Sequence, residues 1–233
     1  PPTVMMPWNP PYIPRLIEAM GFKKDIDLFS YYIDISNLNV EFILLKDELM
    51  NRLKRSGIIV RKVNLKYFND EVKKLMEIYN SAWSENTGFV PMTEEEFFYT
   101  ARDLKQIVNE DMALMAEKEG RAVGFSLAIP DINIVLRQIK NGRLLPAGIF
   151  KLITGIGKIR FYRIITMGVM KEFRGRGVDT ALYCLTFYNG LKNGIYQVEA
   201  SWILENNRQM RSILEGIGAI PYKVHRIYTR ELY

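Results

Sequence analysis

The segment from residue 161 to residue 192 constrains this chain most. Residues 161–170 are apolar and rich in branched side chains, as a buried strand is. The turn Arg174-Gly175-Arg176-Gly177 interrupts the run, and residues 177–192 then read as a helix. A strand feeding a helix through a glycine turn is a β-α unit. Such a unit needs a sheet to join and a helix layer to cover it, so the chain reads as α/β with one central sheet.

The rest of the chain supplies the other elements. Residues 3–6 look strand-like. Pro14 suits the first turn of a short helix that ends at Gly21, and residues 28–35 read as a strand. Residues 41–55, with Phe42, Leu45, Leu49 and Leu53 at roughly helical spacing, read as a linker helix. A second unit opens with a strand at 58–64 and an amphipathic helix at 69–83. Thr93 with Glu96 forms a capping-box pattern ahead of a further helix. Residues 112–117 and 122–129 flank a hairpin turn at Lys118-Glu119-Gly120-Arg121. A short helix opens after Pro130-Asp131 and fades near Lys140. Residues 197–204 are a strand, 209–216 a short helix and 224–232 a last strand. The expected segments are 1–35, a linker helix at 36–57, and a main domain at 58–233.

Composition removes several classes of function. The single Cys, Cys184, leaves no disulfide framework and no Cys pair for zinc, and the single His, His225, leaves no multi-His metal site. No metal is therefore expected. No apolar stretch approaches the ~18 residues of a membrane span, so a membrane is not expected as a partner. Free-thiol usage and the lack of a basic, then apolar, leader point to the cytoplasm. The chain opens at Pro1-Pro2 rather than Met, as a piece of a longer chain would.

A repeat supports that reading. At an offset of 197 residues, Asn9 falls on Asn206, Leu16 on Ile213, Glu18 on Glu215, Gly21 on Gly218 and Tyr31 on Tyr228. Both copies run strand, Asn turn, short helix, Gly, strand. The expectation is that 1–35 is the last third of a sister domain whose front is missing.

The segment Gly168-Val-Met-Lys-Glu-Phe-Arg-Gly-Arg-Gly-Val-Asp179 carries the chemistry. Glycines let backbone approach a ligand, and a helix start offers unpaired N–H groups and the positive end of a dipole. Together they form a cradle for phosphate or pyrophosphate. The Gly-Lys-Ser/Thr ending of a P-loop is missing, and so is the G-x-G-x-x-G dinucleotide fingerprint.

This segment resembles the acyl-CoA loop of the GNAT superfamily of N-acyltransferases, Arg/Gln-x-x-Gly-x-Gly/Ala after the fourth strand. Arg174, Gly177 and Asp179 hold the first, fourth and sixth places, and Asp179 departs from the pattern. Glu205-x-Asn207 with Gly218 resembles the family's next strand-helix unit. Trp83-Ser-Glu-Asn-Thr-Gly-Phe-Val-Pro-Met92, Pro130-Asp-Ile-Asn133 and Ser201-Trp-Ile-Leu-Glu-Asn-Asn207 resemble a bacterial subgroup. The resemblance implies a GNAT-like mixed central sheet flanked by helices, preceded by the C-terminal remnant of a second GNAT-like domain. It implies an acyl-CoA co-substrate, acetyl-CoA first among them, and a small-molecule or peptide amine as acceptor. The strand ending Met167-Gly168-Val169 would pair with the pantetheine arm. Backbone N–H groups of Arg174, Gly175, Arg176, Gly177, Val178 and Asp179 would hold the pyrophosphate, with Asn207 also on the cofactor. The amine would attack the thioester directly, with one group taking its proton and another protonating the thiolate.

Catalytic groups are less well marked. Leu214 stands where many relatives place an acidic Tyr, and Tyr183, Tyr188, Tyr222 and Tyr228 are the substitutes on offer. Glu199, mid-strand, is the candidate base, with a raised pKa as one reason for its burial. The alternative is that it faces solvent or pairs with an Arg. Trp83, Asn86 and Phe89 either line the acceptor pocket or close a tight turn by aromatic packing. His225 reads as a packed or surface residue and Cys184 as a packed one; 144–156 reads as an ordinary buried insertion, with a lid over the acceptor site or a partner contact as the alternatives. A non-catalytic acyl-CoA sensor and an aminoacyl-tRNA-dependent transferase remain as rival functions; plain nucleic-acid binding is disfavoured for want of a motif. Of the net charge of +6, residues 159–233 supply 11 basic and 6 acidic groups, so the excess surrounds the proposed cradle.

Overall fold

The computed structural model describes residues 1–38, 40–84, 89–140 and 142–231 and intermixes helices and strands along the chain, as expected of an α/β protein. The elements are α1 (Ile13–Ala19), β1 (Lys23–Asp34), α2 (Val40–Arg55), β2 (Ile58–Lys62), α3 (Phe68–Ala82), α4 (Glu94–Lys105), β3 (Ala113–Lys118) and β4 (Arg121–Pro130). They continue with α5 (Asn133–Leu136), α6 (Ala147–Ile156), β5 (Phe161–Val169), α7 (Val178–Lys192), β6 (Gln197–Leu204), α8 (Arg208–Gly216) and β7 (Ile220–Thr229). The seven strands lie in the order β2-β3-β4-β5-β6-β1-β7. Residues 3–6 are a turn, not a strand: Met6 N–H donates back to Thr3 O at 3.1 Å.

The chain forms two compact units. One holds Ile35–Ile129 and Ile164–Tyr196; the other holds Pro1–Asp34, Pro130–Arg163 and Gln197–Tyr233. One break between the units falls after Asp34, so residues 1–34 group with 130–163 and 197–233.

In the 35–129/164–196 unit, antiparallel β2-β3-β4 pack with α7 around Leu53, Ile78, Leu114, Met115, Phe125, Val169 and Leu182. Helix α7 is buried along most of its length, including Val178, Tyr183 and Phe187, which is why its sequence shows no polar face. Arg61 on β2 spans Glu71 of α3 and Glu117 of β3 at 2.6–2.8 Å, and Lys74 reaches Glu117 at 2.8 Å. The half-buried Glu117 is thereby held down to about 2, chiefly by its hydrogen bonds from Arg61. The Thr93–Glu96 capping box is present.

In the other unit, β1 pairs antiparallel with both β6 and β7. The 197-residue repeat has a geometric counterpart here. Leu28 and His225, related by that offset, face each other in the β1–β7 pair. Tyr31 donates to Glu215 at 2.6 Å, and its counterpart Tyr228 donates to Glu18 at 3.1 Å. Each strand is thus tied to the other copy's helix about a local twofold. Both helices end at a glycine in the left-handed region, Gly21 at φ +84° and Gly218 at φ +87°.

Candidate functional site

The glycine turn is built on close backbone contacts. A Cβ on Gly124 would lie 3.2 Å from Gly168 O and Val178 Cγ1, so β4, β5 and the start of α7 approach through glycine. A Cβ on Gly168 would lie 2.5 Å from two carbons of the Trp83 ring and 3.0 Å from Ala82 Cβ. The Trp83 ring therefore packs directly on the strand end. It also packs against Tyr79 and Phe125, with ring centroids 5.0 and 6.1 Å away, and Phe89 packs on the other side of Tyr79. Asn86 lies outside the described residues.

After Val169 a single turn of 3₁₀ helix leads to Arg174. Gly175 at φ +70° and Gly177 at φ +85° then reverse the chain, a conformation costly for residues with a Cβ. Gly177 caps α7 without a side-chain hydrogen bond, so the first-turn N–H groups point out of the helix. Arg174 spends its guanidinium on backbone: Nε donates to Val169 O at 3.2 Å and Nη2 to Ala82 O at 2.7 Å. It ties the end of α3 to the end of β5. The Arg176 guanidinium sits 5.4 Å above the Phe173 ring. Asp179 turns its carboxylate back on the helix, accepting from Thr180 N at 2.8 Å. That takes one N–H from the cradle and leaves a negative charge beside it. Met167 is half-buried and Val169 buried at the strand end.

Asn207 belongs to the other unit, where its side chain caps α8 by accepting from Met210 N at 3.1 Å.

Glu199 is the centre of a buried polar cluster in that unit. Its residue is 0% exposed. Oε1 accepts from Thr3 Oγ1 at 2.7 Å and Ser201 Oγ at 2.6 Å, and lies 3.6 Å from Arg163 Nε. Oε2 accepts from the Tyr222 hydroxyl and from Lys223 Nζ at 2.9 Å. Arg163 is itself buried and fully engaged, donating to Ser201 Oγ, Ser201 O and Val4 O at 2.8–3.2 Å. Asp131 Oδ1 accepts from the N–H groups of Val4 and Asn133. These bonds pin the N-terminal turn, which explains how Thr3 reaches a carboxylate 196 positions away.

The expected raised pKa of Glu199 is corrected by this geometry. Burial pushes it up, but hydrogen bonds from Ser201, Tyr222, Thr3 and Lys223 outweigh burial and hold it below the usual carboxylate range. Burial raises Asp131 instead. Burial and the bond to Glu199 drive Tyr222 far up. Among the tyrosines considered, Tyr222 alone joins this cluster. Tyr228 is bound to Glu18, Lys46 Nζ lies 3.8 Å over the Tyr188 ring, and Tyr183 is buried in α7. Leu214 is fully buried. His225 meets Trp202 edge-on at 5.6 Å, and burial lowers its pKa. Cys184 is buried and its thiol is pushed up to about 12 by desolvation, so it packs as expected. Among the described residues no group of His, Cys, Asp and Glu is placed to hold a metal ion.

These features define a protein with the fold of the GCN5-related N-acetyltransferases. A solved structure of that fold, an N-acetyltransferase from Sphaerobacter thermophilus, superposes with a TM-score of 0.60 over 92% of this chain and 54% of its own, at 16% identity. No family model matches the chain. In sequence the chain is 35% identical over 239 residues to protein YghO of Escherichia coli K12, covering 100% of this chain and 60% of the relative. It is 34% identical over 241 residues to the bacterial ceramide synthase of Caulobacter vibrioides, covering 100% of this chain and 61% of the relative. The chain thus spans about three fifths of the curated relatives it matches.

Proposed function

We propose that this chain carries the acyl-transfer part of an acyl-CoA-dependent N-acyltransferase. The observation that carries the reading is the turn 174–179: two glycines with positive φ deliver a strand into the open N-terminus of a 15-residue helix. Backbone N–H groups of Gly175, Arg176, Gly177 and Val178 would hold the pyrophosphate of the co-substrate. The amine nitrogen of the acceptor attacks the thioester carbon, the C–S bond breaks, and amide and free thiol leave. The likeness to a ceramide synthase favours a long-chain amino alcohol as acceptor and a fatty acyl group over acetyl, because a ceramide is an N-acylated amine of that class. Glu199, expected as a base, is better suited to position Tyr222 and Lys223, since its oxygens already accept four hydrogen bonds. Tyr222 is the group to test for proton transfer. Residues 1–35 are read as descended from a sister domain, on the paired Tyr31–Glu215 and Tyr228–Glu18 bonds.

Calorimetric titration of the full-length protein with CoA tests the cradle. Binding should be measurable and abolished by Gly177→Val; no heat with the unaltered protein defeats the reading. Buried Leu214 and the Asp179 charge favour a second reading, an acyl-CoA sensor. A sensor would bind CoA but release no thiol with any amine.

A further inference from the structure

Among the described residues no helix is long and apolar enough to cross a membrane. Residues 132–160 suggest a different kind of contact. This stretch holds six basic residues, Arg137, Lys140, Arg143, Lys151, Lys158 and Arg160, and no acidic residue. Its positive charge was hidden in the overall balance, because residues 57–131 carry 9 basic and 13 acidic groups.

The expected buried insertion is instead an exposed helix, α6, with an exposed approach. Leu145 is 73% exposed, Phe150 69% and Ile153 67%, and Leu144 is exposed beside them. On its inward side α6 approaches its neighbours most closely through two glycines, flanked by the part-buried Ile149, Leu152 and Ile156. A Cβ on Gly155 would lie 2.8 Å from Val135 of α5, and one on Gly148 would lie 2.6 Å from Arg143 O. Glycines seat the helix against its neighbours, so the large apolar side chains at 150 and 153 are left pointing out. Lys151 within α6 and Lys158 just past its end are exposed as well. Lys151, Arg137 and Arg160 donate to backbone carbonyls of Gln138, Asn133, Gly157 and Ile159, which leaves their charge uncompensated by those bonds.

Large exposed apolar side chains edged by lysine and arginine suit the boundary between lipid headgroups and acyl chains. The apolar groups enter the boundary and the cations meet anionic headgroups. A protein partner would not by itself require a run of 29 residues without one acidic group. We infer that the α6 face, with Leu144, Leu145, Phe150 and Ile153, docks on an anionic bilayer surface. The inference does not rest on the acyl-transfer reading, although a lipid acceptor would be met there.

Flotation of the full-length protein with phosphatidylglycerol-containing vesicles, against pure phosphatidylcholine, tests it. Binding is expected on the anionic vesicles, falling as salt rises. Phe150→Ser with Ile153→Ser, both exposed, should weaken it at least about tenfold, and Lys151→Glu with Lys158→Glu by a similar factor. Circular dichroism and size-exclusion elution of both variants should match the parent. Equal binding of parent and variants, or no binding to anionic vesicles, overturns the inference. So does a change in the size of the protein in solution on replacing Phe150 and Ile153, which would assign the face to a protein contact. CoA binding measured without lipid should be the same in all these variants, so failure here and failure of the cradle are separable.

Discussion

Replacing Glu199 by Gln is the sharpest perturbation of the buried cluster. The substitution keeps the shape and exchanges one accepting oxygen for an NH₂ donor. If the amide nitrogen takes the Oε2 position, the Tyr222 hydroxyl and Lys223 ammonium lose their acceptor; in the other orientation, Thr3 and Ser201 do. Either way Arg163 and Lys223 lose the anion that balances them. Hydrogen bonds to charged groups contribute about 1.5–3 kcal/mol each, and breaking a buried ion pair costs about 3–5 kcal/mol. We expect a loss of about 3–5 kcal/mol, which at a urea m-value of about 2.5 kcal/mol per molar moves the midpoint down by about 1–2 M. Thr3→Val removes one donor of the four and leaves the carboxylate charged, so it should cost less, about 1.5–3 kcal/mol. The pH dependence follows from the lowered pKa. A carboxylate held below its usual 4.5 contributes stability fully present above that value and lost as pH falls through the folded-state pKa. The parent should therefore weaken below about pH 4.5 more steeply than Glu199→Gln. A midpoint shift worth under about 1 kcal/mol would refute the claim that this carboxylate organises the cluster.

Three further outcomes are expected. Gly168→Ala would drive a methyl into the Trp83 ring, and should lower the thermal midpoint by several degrees, about 1–3 kcal/mol of overpacking; Trp83→Leu in the same protein should recover part of it, and full tolerance of Gly168→Ala would contradict the packing. Tyr31→Phe removes a hydroxyl shared by Glu215 and Arg211 and should cost about 1 kcal/mol, whereas Tyr228→Phe, on an exposed bond, should leave the midpoint of the same urea titration nearly unchanged; the reverse order would count against the greater burial of the Tyr31 bond. Gly177→Val would strain a backbone at φ +85° by about 1–2 kcal/mol without a clash, since a Cβ there meets only Leu49 Cδ2 at 3.7 Å, so CoA binding should fail in a protein that still folds.

Local chemistry made much of the fold legible. The Thr93–Glu96 capping box, the Lys118–Arg121 hairpin and the run from strand through Gly177 into helix depend on residues a few positions apart, and each is present. Glu18 and Tyr31 recur as Glu215 and Tyr228 at an offset of 197 residues, which the sequence also displays. The sequence could not say that each Tyr would bond the other copy's Glu. Site chemistry was harder, because it is non-local. Glu199 meets Thr3, Arg163, Tyr222 and Lys223 only through folding, and the balance of burial against four donors decides the direction of its pKa. A Glu in the middle of an apolar strand was the one available signal. Arg174 was legible as a charge near the turn but not as a clamp on Val169 and Ala82 carbonyls. Residues 144–156 are apolar in composition and so read as buried; two glycines on the inner face turn Phe150 and Ile153 outward.

The central claim is that the turn at 174–179 serves acyl transfer to an amine. The most direct measurement supplies the full-length protein with a fatty acyl-CoA and a long-chain 2-amino-1,3-diol, then quantifies free thiol and N-acylated product by mass spectrometry. The account predicts equal amounts of amide and free CoA, and neither with Gly177→Val. Thiol release without amide, or no turnover despite tight CoA binding across a broad amine panel, would contradict it.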